Sequence, residues 1–140
     1  MTDSQSFSFT ETRSVRDYVD AVPRLPLTLS LQNSVEVTAL LDTGASINIL
    51  PYSIGIELGA VWDESLPSLG LVGGLASTDA QGLIATAYIG TFEPVRLIFA
   101  WSRTDKVPVI LGRTNFFMLF DVCFYRSQMF FELRPTLRTE

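Results

Sequence analysis

Short apolar segments, each long enough for one strand and separated by turn residues, constrain the fold of this chain most strongly. From Leu25 to Leu31 every second residue is a leucine, which is the period of a strand with one buried face. Further segments of strand length follow up to Leu133, and no repeat of 20 to 50 residues is evident. The pattern predicts an all-β barrel or sandwich.

Only short helices are expected between these strands. Strands are predicted at 35–41, 47–50, 83–89, 95–101, 107–112, 120–125 and 129–133. One helix of about two turns is predicted at 52–59, closed by Gly59. A second is predicted at 116–119, with Thr114 or Asn115 as its cap.

The composition excludes several kinds of catalysis. The chain has 140 residues, 47% of them hydrophobic, which suits one domain with one core. It has no histidine and a single cysteine, Cys123. A disulfide within the chain, a Ser-His-Asp or Cys-His site and the usual zinc ligands are therefore excluded. Carboxylates, one lysine (Lys106), tyrosines and arginines remain for acid–base chemistry.

The charge and the hydropathy pattern limit the partners. The net charge is -5 and no basic stripe is present, so we expect neither nucleic acid nor an anionic membrane surface as a partner. No secretory leader and no apolar run of about 18 residues are evident. We therefore expect a cytoplasmic protein. Separately, we expect neither a metal nor another cofactor.

One apolar run ends in residues that carry chemistry. The run from Val37 to Leu41 is followed directly by Asp42, Thr43 and Gly44. A buried strand would place the Asp42 carboxylate where little water is present, which is costly for a lone charge. A second carboxylate opposite would share one proton with it, because two like charges in contact cannot both ionise. A proton-sharing pair of this kind can hydrolyse peptide bonds.

Two further stretches accompany this loop. Gly73 and Gly74 are flanked by apolar residues, as in a hairpin with a mobile tip, although an ordinary tight turn fits the pattern as well. The run from Val109 to Leu111 is a second apolar strand that stops at a glycine, Gly112.

Together these residues resemble the retropepsin-like aspartic proteases, in particular the free-standing single-domain bacterial type. Leu40–Ser46 matches the catalytic loop of that family, Leu71–Gly74 lies where the family has its flap, and Val109–Arg113 matches its second signature. The resemblance extends from about Leu25 to Leu133. It implies a closed, barrel-like acid protease fold that is active as a homodimer and cleaves peptide or protein substrates.

The resemblance also assigns roles to residues. It implies that Asp42, Thr43 and Gly44 are catalytic, and that Ala45, Gly112 and Arg113 are structural at the active site. It implies that the substrate contacts residues of the flap and of the floor of the cleft, namely Leu71, Val72, Gly73, Gly74, Leu75, Ile110 and Leu111. Core packing is the alternative for each of them. Because Asp-Thr-Gly occurs once in the chain, the second carboxylate must come from a second copy.

Two positions of the loop differ between members of this protease class. Viral members pair the arginine of the second signature with an acidic residue, but Ser46 stands at that place here. Arg113 therefore needs another partner, either Asp121 or a backbone carbonyl. Ala45 stands where pepsin-like enzymes carry a hydroxyl residue, which predicts a mildly acidic pH optimum.

The domain organisation predicted from the sequence has three parts. Residues 1–22 form an N-terminal arm that is either flexible or an edge strand, with the flexible arm slightly favoured. Residues 23–135 form the protease domain, and 136–140 form a tail. The alternative function is a catalytically idle retropepsin-fold module for peptide binding or dimerisation, and an unrelated β-barrel binding protein is a third possibility.

Overall fold

The computed structural model describes residues 3–13, 19–68 and 79–136. Within these residues it contains two short helices, α1 (Tyr52–Glu57) and α2 (Phe116–Leu119). The strands are β1 (Gln5–Ser8), β2 (Thr10–Arg13), β3 (Val19–Val22), β4 (Arg24–Ser30), β5 (Ser34–Leu41), β6 (Asn48–Leu50), β7 (Ala80–Tyr88), β8 (Val95–Ser102), β9 (Ile110–Leu111), β10 (Phe120–Tyr125) and β11 (Phe130–Pro135). The predicted all-β fold is confirmed.

Six of the strands close into a barrel in the order β4-β5-β9-β6-β8-β7. The leucine alternation forms the inner face of β4, because Leu25, Leu27 and Leu29 are buried in the hydrophobic core. β4 and β5 form an antiparallel hairpin in which Leu27 lies opposite Val37. This hairpin delivers the chain to Asp42.

The short strand β9 lies between β5 and β6, and this arrangement builds the site. β9 runs parallel to β5, with Leu41 opposite Leu111, and antiparallel to β6, with Ile49 opposite Ile110. The loop that follows β5 and the loop that follows β9 therefore lie side by side. The sequence predicted a longer strand at 107–112, which was wrong: only Ile110 and Leu111 are in a strand, and Pro108 has no N–H to donate to a ladder.

Helix α1 packs directly on Trp101 of β8. Gly55 is the buried residue of this helix, and a Cβ atom at Gly55 would lie 2.1 Å from the Trp101 indole nitrogen. The close approach explains a glycine inside a helix, where it otherwise lowers stability. Gly59, with φ of 92°, follows the helix in the left-handed conformation that favours glycine.

The start of the chain forms strands that pack against its end. β1 pairs with β11, and β11 pairs with β10, in a three-stranded antiparallel sheet. Phe7 stacks on Phe131, and Phe9 contacts the same ring edge to face. Of the two interpretations of the arm, Gln5–Ser8 therefore form an edge strand, and Phe7 and Phe9 gain apolar contacts with Phe131. The proposed domain boundary itself stays a prediction.

Helix α2 and strand β10 begin and end where the sequence predicted. The predicted cap of α2 was wrong in its chemistry. Asn115 occupies the N-cap position, but its side chain makes no capping hydrogen bond. It bonds instead to Asn48 and to the backbone of β8.

In the part of the chain that the structure describes, neither helix is long and apolar enough to cross a membrane.

Candidate active site

Asp42 follows the last residue of β5, where the buried strand meets a tight turn. Its backbone N–H donates to the carbonyl oxygen of Leu111 at 3.0 Å, and this bond anchors the start of the loop on β9. The carbonyl oxygen of Asp42 accepts the N–H of Ala45 at 3.1 Å, which closes the turn. Asp42 is half-buried in the single chain, whereas Thr43 and Gly44 are exposed.

The Asp42 carboxylate is oriented by its own loop. The N–H of Gly44 donates to Oδ1 of Asp42 at 2.9 Å. A Cβ atom at Gly44 would lie only 3.2 Å from the same oxygen, so glycine permits this close approach. One carboxylate oxygen is therefore held by the backbone, which leaves the other for a different partner. The catalytic role of Asp42, Thr43 and Gly44 stays a prediction.

The chain after β9 supports the loop from one side. The N–H of Arg113 donates to the carbonyl oxygen of Ala45 at 2.9 Å, and the N–H of Thr114 donates to that of Ser46 at 2.9 Å. Gly112 directly precedes Arg113, and a Cβ atom there would lie 2.5 Å from the carbonyl oxygen of Ile47. Glycine is required at this point because two backbone segments are in contact.

The Arg113 side chain binds a backbone carbonyl. Its Nη1 donates to the oxygen of Thr43 at 2.8 Å, across the two loops. Of the two partners considered from the sequence, the backbone carbonyl is therefore the one present. Asp121 lies instead near Arg134, with 3.6 Å between Oδ2 and Nη2, and both side chains are largely exposed.

Three half-buried apolar residues lie in a row beside the Asp42 loop. Leu40 is opposite Ile110, and Ile110 is opposite Ile49, so the three side chains share one face of β5, β9 and β6. Leu111 points the other way into the hydrophobic core. Core packing therefore describes Leu111, while Ile110 stays a predicted substrate contact.

The sequence missed Leu40 and Ile49 as members of this row. Their position depends on β9 lying between β5 and β6. A periodic pattern within each strand does not contain that information. Leu40 was part of the apolar run that defined the buried strand, and nothing local distinguished a residue of a cleft from a residue of the core.

The predicted flap residues Leu71, Val72, Gly73, Gly74 and Leu75 lie outside the described residues. The hydroxyl of Ser68 donates to Oδ1 of Asp79 at 3.1 Å, so the two described segments that border 69–78 are hydrogen-bonded to each other.

The loop before Ser68 is anchored by Arg103. Its guanidinium pairs with both carboxylate oxygens of Glu64, at 2.6 and 3.2 Å, and lies 5.0 Å from the centroid of the Trp62 ring. The hydrogen bonds to Glu64 raise the pKa of Arg103 above its ordinary value.

No group of three or more Cys, Asp and Glu side chains suited to a metal ion occurs among residues 3–13, 19–68 and 79–136.

Comparisons with known proteins identify the fold. No protein-family model matches this sequence, and no curated protein matches it either. Among solved structures, a retropepsin-like aspartic protease from Rickettsia conorii superimposes with a TM-score of 0.61 at 15% identity, covering 96% of this chain and 94% of that chain. EIAV protease in complex with the inhibitor HBY-793 gives a TM-score of 0.52 at 20% identity, covering 66% and 82% respectively.

The protein therefore has the fold of the retropepsin-like aspartic proteases. The described fold agrees with the resemblance found in the sequence, since the Asp-Thr-Gly loop and the Ile-Leu-Gly-Arg segment lie side by side. At 15% and 20% identity the likeness concerns the fold alone.

Proposed function

We propose that this protein is an aspartic endopeptidase that hydrolyses peptide bonds as a homodimer, with one Asp42 from each subunit. The observation that carries the proposal is the Asp42 loop: the carboxylate follows a buried strand, its Oδ1 accepts the Gly44 N–H, and Arg113 binds the loop carbonyl of Thr43. A carboxylate held this firmly is suited to act on a bound water.

A second copy is required because the chain contains one Asp-Thr-Gly. Two carboxylates in contact share one proton, so one is a base and the other an acid at the same pH. The exposed loop of Thr43 and Gly44 is available for contact with its counterpart in the second subunit.

The reaction follows from this pairing. The ionised carboxylate takes a proton from the water between the two residues, and the protonated carboxyl donates a hydrogen bond to the substrate carbonyl. Water adds to the carbonyl carbon without a covalent enzyme intermediate. The roles then reverse as the tetrahedral species collapses and the amine leaves with a proton.

The pH dependence should be bell-shaped, because the pair titrates as a unit. Ala45 offers no hydroxyl to favour the charged carboxylate, so the optimum should be mildly rather than strongly acidic. Activity that persists at about pH 2 and is absent at about pH 5 would contradict this expectation.

The substrate should bind as an extended peptide whose alternate side chains enter apolar pockets. The row of Leu40, Ile49 and Ile110 beside the Asp42 loop supports such a pocket. The flap residues Leu71, Val72, Gly73, Gly74 and Leu75 would cover the peptide from the other side. Peptides with apolar residues at the cut are therefore the expected substrates.

The outer edge of β10 is the surface that we propose for pairing with the second copy. β11 has β1 on its other side, whereas β10 has no second neighbour among the described strands. A free edge pairs readily with another strand, and a strand next to its own copy forms a two-fold antiparallel pair. Cys123 lies in the middle of this strand.

The decisive experiment compares the wild type with Asp42→Asn on a mixed peptide library at about pH 4 to 7, a range around the pKa values of a carboxyl pair. The control is Glu36→Gln, which removes one exposed carboxylate from β5, the strand that precedes Asp42. We expect cleavage in the wild type and the control, inhibition by a statin-type transition-state mimic, and loss of cleavage in Asp42→Asn.

Two results would contradict the proposal. A dimeric wild type that cuts no peptide would favour the idle binding module instead. A strictly monomeric protein that is active would exclude the shared site, because one chain carries one Asp42.

A further inference from the structure

Asn48 is a fully buried amide at the start of β6, close behind the Asp42 loop. Its Oδ1 accepts the N–H of Gly112 at 2.8 Å. Its Nδ2 donates to the carbonyl oxygen of Ile98 at 3.0 Å and to Oδ1 of Asn115 at 2.7 Å. A buried amide is costly unless it is hydrogen-bonded, so these three bonds hold it in one orientation.

Asn115 fixes that orientation from the second side. Its Oδ1 also accepts the N–H of Ile98 at 3.2 Å, and its Nδ2 donates to the carbonyl oxygen of Arg96 at 3.0 Å. Both donors of Asn48 are thus directed to acceptors on β8 and before α2, which leaves Oδ1 directed at Gly112. The pair joins three parts of the chain through side-chain amides.

The N–H that Asn48 accepts lies at the centre of the backbone that supports the Asp42 loop. The residue before it, Leu111, accepts the Asp42 N–H at 3.0 Å, and the residue after it, Arg113, donates to Ala45 at 2.9 Å. Gly112 therefore cannot shift without moving the atoms that hold both ends of the turn.

We propose that Asn48, oriented by Asn115, is a positioning residue for Asp42. It lies behind the loop and contacts no reacting atom, so it acts through Gly112. The role rests on the proposed protease function. A leucine would fill a similar volume without burying an amide, so the contribution of Asn48 is directional.

The expected effect is on turnover. A misplacement of about 1 Å in a catalytic group can lower the rate about 100-fold. Asn48→Ala should therefore lower kcat by roughly 10- to 100-fold, while KM for a peptide changes by less than about threefold, because the apolar row of the cleft is retained.

Three further variants make the comparison specific. Asn115→Ala leaves Oδ1 of Asn48 in place but removes its orienting partner, and should lower kcat less than Asn48→Ala. Asn115→Asp retains an acceptor for Asn48 and should restore part of that loss. Ser102→Ala is the matched control, because the buried Ser102 hydroxyl donates to the carbonyl oxygen of Leu50 at the far end of β6, at 3.1 Å, and to that of Thr104, at 2.9 Å.

A second measurement does not depend on protease activity. The backbone amides of Gly112 and Gly44 are followed by ¹⁵N NMR and hydrogen exchange in each variant. We expect faster exchange at Gly112 and a shifted Gly44 resonance in Asn48→Ala, and neither change in Ser102→Ala. If the wild type cleaves no peptide, the proposed function fails while the Gly44 amide still tests the positioning role.

The proposal is overturned if Asn48→Ala folds and shows faster hydrogen exchange at the Gly112 amide, while kcat and the Gly44 resonance both stay as in the wild type. An equal loss of kcat in Ser102→Ala would also overturn it, because the effect would then be one of general stability. If Asn48→Ala does not fold, Asn115→Ala provides the same comparison with Asn48 in place.

Discussion

The side chain of Arg113 donates to the carbonyl oxygen of Thr43 at 2.8 Å, although the two residues are 70 positions apart in the sequence. The backbone N–H of Arg113 also donates to the carbonyl oxygen of Ala45 at 2.9 Å. One residue after β9 therefore holds the loop after β5 at two points, one by a charged side chain and one by the backbone.

Replacing Arg113 by alanine should loosen the loop while the barrel stays folded. A hydrogen bond from a charged donor contributes about 1.5 to 3 kcal/mol, and solvent exposure reduces that value. We expect kcat/KM to fall about tenfold, with a small loss of thermal stability. Peptide hydrolysis and thermal unfolding measure the two effects. Arg96→Ala on the outer side of β8 is the control, and wild-type turnover in Arg113→Ala would contradict the prediction.

Local pattern was enough to predict most strands and both helices. The leucine alternation set the face of β4, and apolar runs with turn residues marked β5 and β10. The packing of β1 on β11 was not predicted, because pairing between the two ends of a chain depends on contacts far apart in sequence. Phe7 and Phe9 were visible as an alternation, but nothing nearby showed what would cover them.

The candidate site was predictable only in part for the same reason. Asp42, Gly44 and Arg113 were selected as candidates because their residue types follow apolar strands in a recognisable order, and the structure brings them together. The apolar row and the Asn48–Asn115 pair were missed, since both arise from the position of β9 between β5 and β6. Single asparagines in a sequence give no indication of which backbone they will bind.

The apolar row should affect substrate binding more than chemistry. Ile49→Ala and Ile110→Ala each remove apolar surface beside the Asp42 loop, and each should raise KM several-fold for peptides with a large apolar residue at the cut. Steady-state kinetics with paired peptides, one apolar and one with alanine at that position, measure the effect. Ile84→Ala, at an exposed position of β7, should leave KM unchanged. Equal KM changes for both peptides would contradict a pocket in this row.

Gly55→Ala should destabilise the fold by overpacking against Trp101. The added Cβ would lie 2.1 Å from the indole nitrogen, so helix α1 or the ring must move. Overpacking of this kind costs typically about 1 to 3 kcal/mol. Urea unfolding followed by tryptophan fluorescence measures the loss. Gly82→Ala is the matched control, because a Cβ there meets no atom within 4 Å, and an equal loss in both variants would contradict the explanation.

The turn at Asp63 should contribute to stability only above a defined pH. The hydroxyl of Ser65 donates to Asp63 Oδ1 at 2.6 Å, and the backbone N–H of Ser65 donates to the same oxygen at 3.0 Å. Both hydrogen bonds lower the pKa of Asp63 below its ordinary 3.8, and the bond from the hydroxyl has the larger effect. Because the folded-state pKa is lowered, the contribution is present above pH 3.8 and is lost as the pH falls through the folded-state value.

An NMR titration of the Asp63 carboxyl checks this prediction. Ser65→Ala should move the pKa of Asp63 back toward 3.8, while Ser53→Ala on α1 should leave it unchanged. A midpoint at the ordinary value in the wild type would contradict the hydrogen-bond explanation.

Pairing of β10 with its copy should bring two Cys123 thiols together. Residues directly opposite in an antiparallel pair have Cα atoms about 4.5 to 5.5 Å apart, within reach of a disulfide or a short bismaleimide. Cys123 is exposed. Its side chain is the largest cause, and Glu132 the second, that raises the pKa of Tyr125 to about 12. The phenol of this neighbouring residue therefore stays neutral at the pH of a thiol reaction. We expect one crosslinked dimer on a denaturing gel.

The crosslink is informative because Cys123 is the only cysteine in the chain. The double variant Cys123→Ser, Ser34→Cys moves the thiol to an exposed position at the start of β5 and should give no comparable dimer band. Equal crosslinking in both proteins would indicate random collision. A dimer by sedimentation that does not crosslink through Cys123 would place the contact between subunits at another edge, even if the protein cleaves peptides.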